Sequence, residues 1–249
     1  MSSSDMPVHA IVPVRLDSRR FPRKSLMRVN QRPLLAWLLD SILSTRLFTS
    51  VIVTSPDVEV LALAEAQGAL AHETKGRFRN GTHRVAETAV DLKLDTQSVV
   101  NIQGDMVGVE PKALSSLIDE LRAAPTSAVT IARKCHSSHE LTDPNRVKVV
   151  WNRRQEALYF SRSLIPHGGD IDTTHVHVGV YGFPPNTLEE YVGSMPTTLA
   201  STEDLEQLDW LVQGRSIKVV KSEWSPPCID VEEDLASAED WLESGGVRT

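Results

Sequence analysis

The chain has 249 residues and a formal net charge of -7, with 41% hydrophobic and 24% charged residues, the proportions of a globular protein large enough to bury a core. That acidic balance excludes wholesale nucleic-acid binding. Apolar runs far short of a bilayer span, and a Ser-rich start without a signal-peptide core, predict a cytoplasmic protein with no membrane partner.

The first predicted element is a buried strand, Ala10 to Val12, stopped by Pro13, which has no N–H to donate to a ladder. A loop carrying Arg15, Arg19, Arg20, Arg23 and Lys24 follows. The dense apolar spacing of Pro33 to Leu43 predicts a helix with Pro33 in its first turn. Val51 to Thr54 is a strand; Asp57 caps a helix over Val58 to Gln67, closed by Gly68. A weak strand near Ala69 to His72, a helix over Thr82 to Leu92 and a buried strand over Val99 to Ile102 come next, the last running into Gln103-Gly104-Asp105. Pro111 opens a helix to Ala123, and Ala128 to Ala132 is a strand. The alternation predicts an α/β fold with a Rossmann-like, mostly parallel, doubly wound sheet.

After about Asp143 the rhythm changes. Arg146 to Trp151 and Ala157 to Ser161 read as paired strands, and His175 to Phe183 as another. Helices over Pro185 to Val192 and Thr202 to Gln213, a strand over Ser216 to Val220 and a helix from about Glu232 to Leu242 complete the chain. The expectation is a single domain over residues 1–249, with a small inserted mixed β region at about 143–200 for acceptor binding or dimer contact. Cys135 and Cys228 form no CxxC pattern, so neither a disulfide framework nor a zinc site is expected. His175 and His177 share a strand face but lack a third ligand at suitable spacing.

A cationic loop just past the first strand of such a sheet lies where ligands bind. Charge alone leaves two readings open, a solvated basic loop or a binder of a polyanion such as a nucleoside triphosphate. Neither GxGxxG nor GxxxxGK[ST] is present, so a dinucleotide dehydrogenase and a P-loop enzyme are disfavoured.

The run P-V-R-L-D-S-R-R-F-P-R-K-S-L, Pro13 to Leu26, resembles the opening signature of the 3-deoxy-manno-octulosonate (Kdo) cytidylyltransferases. The resemblance continues through N-G-T-H-R (Asn80 to Arg84), N-I-Q-G-D (Asn101 to Asp105), P-N-R-V-K-V-V (Pro144 to Val150) and A-L-Y-F-S-R (Ala157 to Arg162). H-V-G-V-Y-G (His177 to Gly182), L-E-Q-L (Leu205 to Leu208) and I-D-V-E-E-D-L (Ile229 to Leu235) extend it to nearly the whole chain. It implies a fold of the nucleotide-diphospho-sugar transferase type. It also implies a reaction in which an acidic acceptor's oxygen attacks the α-phosphorus of CTP and pyrophosphate leaves, a step governed by alignment and charge neutralisation. By the same resemblance Asp105 and Asp230 would hold Mg²⁺. Arg15, Arg20, Lys24 and Asp105 would be catalytic, and Pro13, Arg15, Lys24, Asn80, Gly81, Thr82, Arg84 and Gln103 would bind the nucleotide. Arg23, Gln103, His177, Tyr181, Glu206 and Gln207 would face the acceptor, and a homodimer is implied.

Three departures stand out. Arg23 replaces the glycine of the family's P-G-K; Met106-Val107 replaces the Glu-Pro that usually follows Q-G-D; and the stretch from Pro166 to His177 is short. Together they suggest a smaller, more highly charged acceptor such as phosphonoformate, in phosphonate biosynthesis. The alternatives are Kdo or an amino analogue as acceptor, a different nucleotide, and a nucleotide-binding protein without catalysis.

Overall fold

A computed structural model describes residues 6–17, 21–193, 195–227, 229 and 234–243. Of the residues singled out above, Arg19, Arg20, Cys228 and Asp230 fall outside these. The chain divides into two compact units, Met1–Ser115 with Pro226–Thr249, and Ser116–Ser225.

The first unit contains β1 (Val8–Pro13), the short pair β2 (Arg28–Val29) and β3 (Arg32–Pro33), α1 (Leu34–Thr45), β4 (Ser50–Ser55), α2 (Val58–Ala66), β5 (Leu70–Glu73), α3 (Gly81–Asp91) and β6 (Ser98–Ile102). Its strands run in the order β6-β1-β4-β5, each neighbouring pair parallel. Ala10, Ile11 and Val12 in β1, and Val99, Val100 and Ile102 in β6, are fully buried, as the unbroken apolar runs of a covered parallel sheet require. β1 extends beyond the predicted run to Pro13, which stands opposite Thr54 at the strand's end, where a missing N–H is tolerated.

α1 buries Leu34, Leu35, Leu38, Leu39 and Ile42 along one stripe, and Pro33 sits just outside it as the N-cap. The β2–β3 pair was not expected from the sequence. Asn30 and Gln31 both have positive φ, 48° and 63°, which suits a tight hairpin, but no Asn-Gly or Asp-Gly marks it. The helix Asp234–Glu243 returns to this unit, where Ala238 packs in a cluster with Val29, Leu34, Val107 and Ile229. Val107 and Met106 are buried, so the departure from Glu-Pro puts apolar core where the resemblance places a carboxylate.

α4 (Pro111–Ala123) contains the boundary between the units. The second unit continues with β7 (Ala128–Lys134), α5 (Ser138–Thr142), β8 (Lys148–Trp151), β9 (Ala157–Ser161), β10 (His175–Phe183), α6 (Thr187–Val192), α7 (Thr198–Glu203), α8 (Gln207–Val212) and β11 (Ile217–Lys221). Its sheet is mixed: β11 is parallel to β7, whereas β7–β10, β10–β8 and β8–β9 are antiparallel.

The single helix predicted over Thr202 to Gln213 is two helices, broken at Asp204, whose φ is +53°. Contacts remote in sequence hold the break. The Glu203 carboxylate accepts from the Ser161 hydroxyl (2.7 Å) and the Arg162 N–H (2.9 Å), while the Arg162 guanidinium donates to the carbonyls of Glu203 and Asp204. The short stretch after Pro166 closes on itself, with Asp170 Oδ1 accepting from the N–H groups of Asp172 and Thr173 and from the Thr173 hydroxyl.

Candidate active site

β1 and β6 are neighbours, so the residues after Pro13 and after Ile102 emerge side by side at the carboxyl ends of the parallel strands. The third wall is the N-terminus of α3, capped by Asn80, whose Oδ1 accepts from the His83 N–H at 2.9 Å. Together these segments enclose a cavity of about 230 Å³ in the first unit. Pro13, Arg15 and Lys24 line it from the first loop, Asn80, Gly81 and Arg84 from α3, and Gln103 and Asp105 from the turn after β6.

Two glycines let the walls approach. A Cβ on Gly104 would stand 2.6 Å from Val14 Cγ2 and 3.0 Å from the Pro13 carbonyl oxygen, so only glycine fits there. A Cβ on Gly81 would stand 3.2 Å from Pro13 Cγ, a tighter fit than side chains normally accept.

The electrostatics divide the cations by task. Lys24 Nζ donates to Asp105 Oδ2 at 2.6 Å and to the Ile229 carbonyl at 3.1 Å, which ties the cationic loop to the turn after β6. Arg84 is only 6% exposed, yet among the described residues no carboxylate lies within salt-bridge distance of it. It donates to Thr74 Oγ1 at 2.5 Å, and its guanidinium lies 4.6 Å from the Phe78 ring centroid. Burial first, and the charge of Arg15 second, lower its pKa, but an arginine remains protonated. A buried, unneutralised guanidinium on a cavity wall favours an anionic ligand. Arg15 is exposed on the same cavity, with Asp17 3.5 Å away.

Two residues drawn from the resemblance point elsewhere. Thr82 is buried and its hydroxyl accepts from Asn101 Nδ2 at 3.0 Å; it supports α3 from behind and does not line the cavity. Arg23 is also absent from the lining: its guanidinium reaches the exposed Glu59 carboxylate instead, with contacts of 2.5 and 3.4 Å. The added cation is therefore paired with this chain's own acid and stands outside the cavity lining. Asp57 also departs from expectation. It is the N-cap of α2, its carbonyl accepting from the Val60 and Leu61 N–H groups, but its side chain makes no capping hydrogen bond and Oδ2 instead accepts the Leu16 N–H at 2.9 Å.

Sequence reasoning passed over Ser25, Phe78 and Gly104. Ser25 lines the cavity, and its hydroxyl is buried with no hydrogen-bond partner among the described residues. Its signal was position, directly after Lys24.

His177, Tyr181, Glu206 and Gln207 lie in the second unit. The His177 and Tyr181 rings are 5.2 Å apart, and His177 Nε2 is 3.0 Å from Thr130 Oγ1. Burial pushes the His177 pKa down to about 3, so the ring is neutral. The Tyr181 hydroxyl is buried with no hydrogen-bond partner among the described residues; burial and then the Glu206 charge raise its pKa well above the usual phenol value. Gln207 is buried at the start of α8. The His175 ring packs edge-on to Trp151, centroids 4.5 Å apart.

For Mg²⁺, Asp105 is the described candidate, and Asp230 lies outside the described residues. Among the described residues no group of three or more His, Cys, Asp or Glu could hold an ion. Mg²⁺ commonly takes one or two carboxylates with water and substrate phosphates, and a single carboxylate beside a cationic cavity fits that preference. Among the described residues, no helix is long and apolar enough to cross a membrane.

Comparison with known proteins shows the family. Residues 9–217 match the family described as Cytidylyltransferase. The 3-deoxy-manno-octulosonate cytidylyltransferase of an Anaeromyxobacter species is 38% identical over 241 residues, 96% of this chain and 98% of that protein. The protein of the same name from Synechococcus elongatus is 36% identical, covering 93% of each. A solved CMP:2-keto-3-deoxy-manno-octonic acid synthetase complexed with CTP superposes with a TM-score of 0.87 at 27% identity, over 96% of this chain and 99% of that one. A 4-diphosphocytidyl-2C-methyl-D-erythritol synthase from Anaerococcus prevotii shares the fold, with a TM-score of 0.65 at 16% identity. The α/β, Rossmann-like architecture is thus that of a nucleotidyltransferase, and the chain belongs to the cytidylyltransferase family.

Proposed function

We propose that this enzyme joins CMP from CTP to Kdo or a closely related acidic sugar, releasing pyrophosphate. The observation that carries the reading is the cavity at the ends of β1 and β6, where Arg84 is buried without a counter-ion among the described residues, beside the Lys24–Asp105 pair. In this reading Arg84 and Arg15 receive the triphosphate, and Lys24 meets the charge that develops as pyrophosphate departs. Asp105, with Asp230 as the second ligand suggested by the family pattern, would hold Mg²⁺, which when bound neutralises phosphate charge. Gly81 and Gly104 let backbone approach the nucleotide closely. The chemistry asks the protein for alignment more than for covalent work.

The relatives support a Kdo-type acceptor over phosphonoformate, since the Anaeromyxobacter and Synechococcus proteins compared above carry the octulosonate name. The charge argument for a smaller acid has also lost its main residue, because Arg23 is engaged by Glu59. Pyrophosphate release measured with CTP and Mg²⁺ against each acid tests the reading. Turnover with Kdo and none with phosphonoformate is expected; the reverse pattern would replace the acceptor, and no turnover with any acid would remove the catalytic reading.

A further inference from the structure

Arg23 combines three features that its sequence position does not explain. Its φ is +60°, a left-handed conformation that costs a side-chain-bearing residue more than glycine. Its guanidinium makes two contacts to Glu59 in the first turn of α2, an exposed pair 36 residues apart in sequence. Its backbone N–H donates to the Leu16 carbonyl at 2.9 Å, and its carbonyl accepts from Leu26, opening the turn that carries Lys24 and Ser25.

The same α2 terminus holds the loop at its other end, through Asp57 and the Leu16 N–H. Leu16 and Arg23 are thus both fastened to one helix end. The residue after Arg23 is Lys24, whose Nζ reaches Asp105. Glycine at this position would satisfy the backbone but leave φ free and offer nothing to Glu59. A residue kept at an unfavourable φ by a specific contact points to a positional role.

We propose that Arg23 is a positioning residue that, through its ion pair with Glu59, holds the turn from Arg23 to Leu26 in the conformation from which Lys24 meets the triphosphate of CTP. It touches neither nucleotide nor acceptor; it fixes the turn from which Lys24 reaches the cavity. The inference rests on CTP as the ligand of that cavity.

The test is CTP affinity by calorimetry at low salt, which needs no acceptor, together with pyrophosphate release on the full-length protein. Arg23→Gly and Glu59→Gln should each weaken CTP binding about two- to fivefold, the range of an exposed ion pair. KM for CTP should rise by the same factor with kcat unchanged. The double variant should lose no more than either single one, since both remove the same contact. Exchanging the charges, Arg23→Glu with Glu59→Arg, should restore most of the affinity. The differences should shrink at about 0.5 M salt, where the Debye length falls to roughly 4 Å. Because glycine accepts φ of +60°, Arg23→Gly folds, and thermal melting confirms it for each variant. Wild-type affinity in both single variants overturns the inference, as does loss of affinity that the charge exchange fails to recover. Failure of the unmodified protein to bind CTP would instead remove the proposed function, so the two failures are distinguishable.

Discussion

Arg84 in the first unit and Arg133 in the second are both buried, 6% and 3% exposed, but among the described residues only Arg133 has a counter-ion. Arg133 makes a two-pronged contact with the Glu140 carboxylate, whereas Arg84 has a threonine and an aromatic ring. The lysines invert the counter-ion pattern, and what separates them is the cavity. Lys148 is fully buried and spends its Nζ on the carbonyls of Asp143 (2.8 Å) and Arg162 (2.9 Å), while Lys24 lines the cavity and binds Asp105. Charges whose partners are complete within the fold build architecture; a buried charge left incomplete beside a cavity marks where a ligand completes it. The difference lies in the partners, since burial alone does not separate the two sets.

The strongest way to break this comparison is Asp105→Asn. Pyrophosphate release should fall about a hundredfold or more, the scale for losing one aimed electrostatic group, with little change in melting temperature. Arg84→Met comes next and should raise Kd for CTP by about tenfold or more, as removal of a charge-assisted contact does. A CTP affinity equal to wild type would show that the uncompensated arginine is not a ligand group.

In the second unit the same kind of change should act on stability instead. Lys148→Met leaves two buried carbonyls unpaired, about 2 kcal/mol or more, and should lower the melting temperature by roughly 4 to 8 °C. CTP affinity of the folded protein should hold; a melting temperature equal to wild type would deny Lys148 its structural role.

Acid sharpens the contrast further. Burial raises the Glu140 pKa, but the Arg133 hydrogen bonds, the His136 N–H and nearby positive charge outweigh it and hold the carboxyl at about 2. A carboxylate depressed in the folded state contributes stability above its ordinary pKa and loses it as pH falls from there toward about 2. Glu140→Gln should therefore be less stable than wild type at pH 7, with the gap in melting temperature narrowing as pH falls below about 4.5 and closing only toward about 2. A gap constant from pH 7 to 3 would count against the ion pair. His177 should show the smallest effect: with a pKa of about 3 it stays neutral at assay pH, so His177→Asn should leave the pH profile of pyrophosphate release between pH 6 and 8 unchanged in shape.

The strand and helix order was legible because apolar runs and 3.6-residue stripes are local signals. They placed β1, β6, α1 and α3 within a few residues of where they lie. The Asp204 break was not legible, because Arg162 and Glu203, which hold it, are 41 residues apart. The β2–β3 hairpin lacked the glycine that normally announces such a turn. Within the site, the motifs brought Pro13, Arg15, Lys24, Asn80, Gly81, Arg84, Gln103 and Asp105 to one cavity. They could not show that Thr82 turns to Asn101 or that Ser25 has an unpaired hydroxyl.

The sequence by itself determined where the positive charge gathers, that it follows the first strand of an α/β sheet, and that an aspartate follows the strand paired beside it. Only the tertiary structure decided which charges remain for a ligand. Arg23 goes to Glu59, 36 residues away, and Asp57 to Leu16, 41 residues away, while Arg84 is left without a carboxylate among the described residues. The physical reason is that propensity and periodicity are set within a few residues, whereas neutralisation of a charge depends on whichever group the folded chain brings within about 4 Å of it.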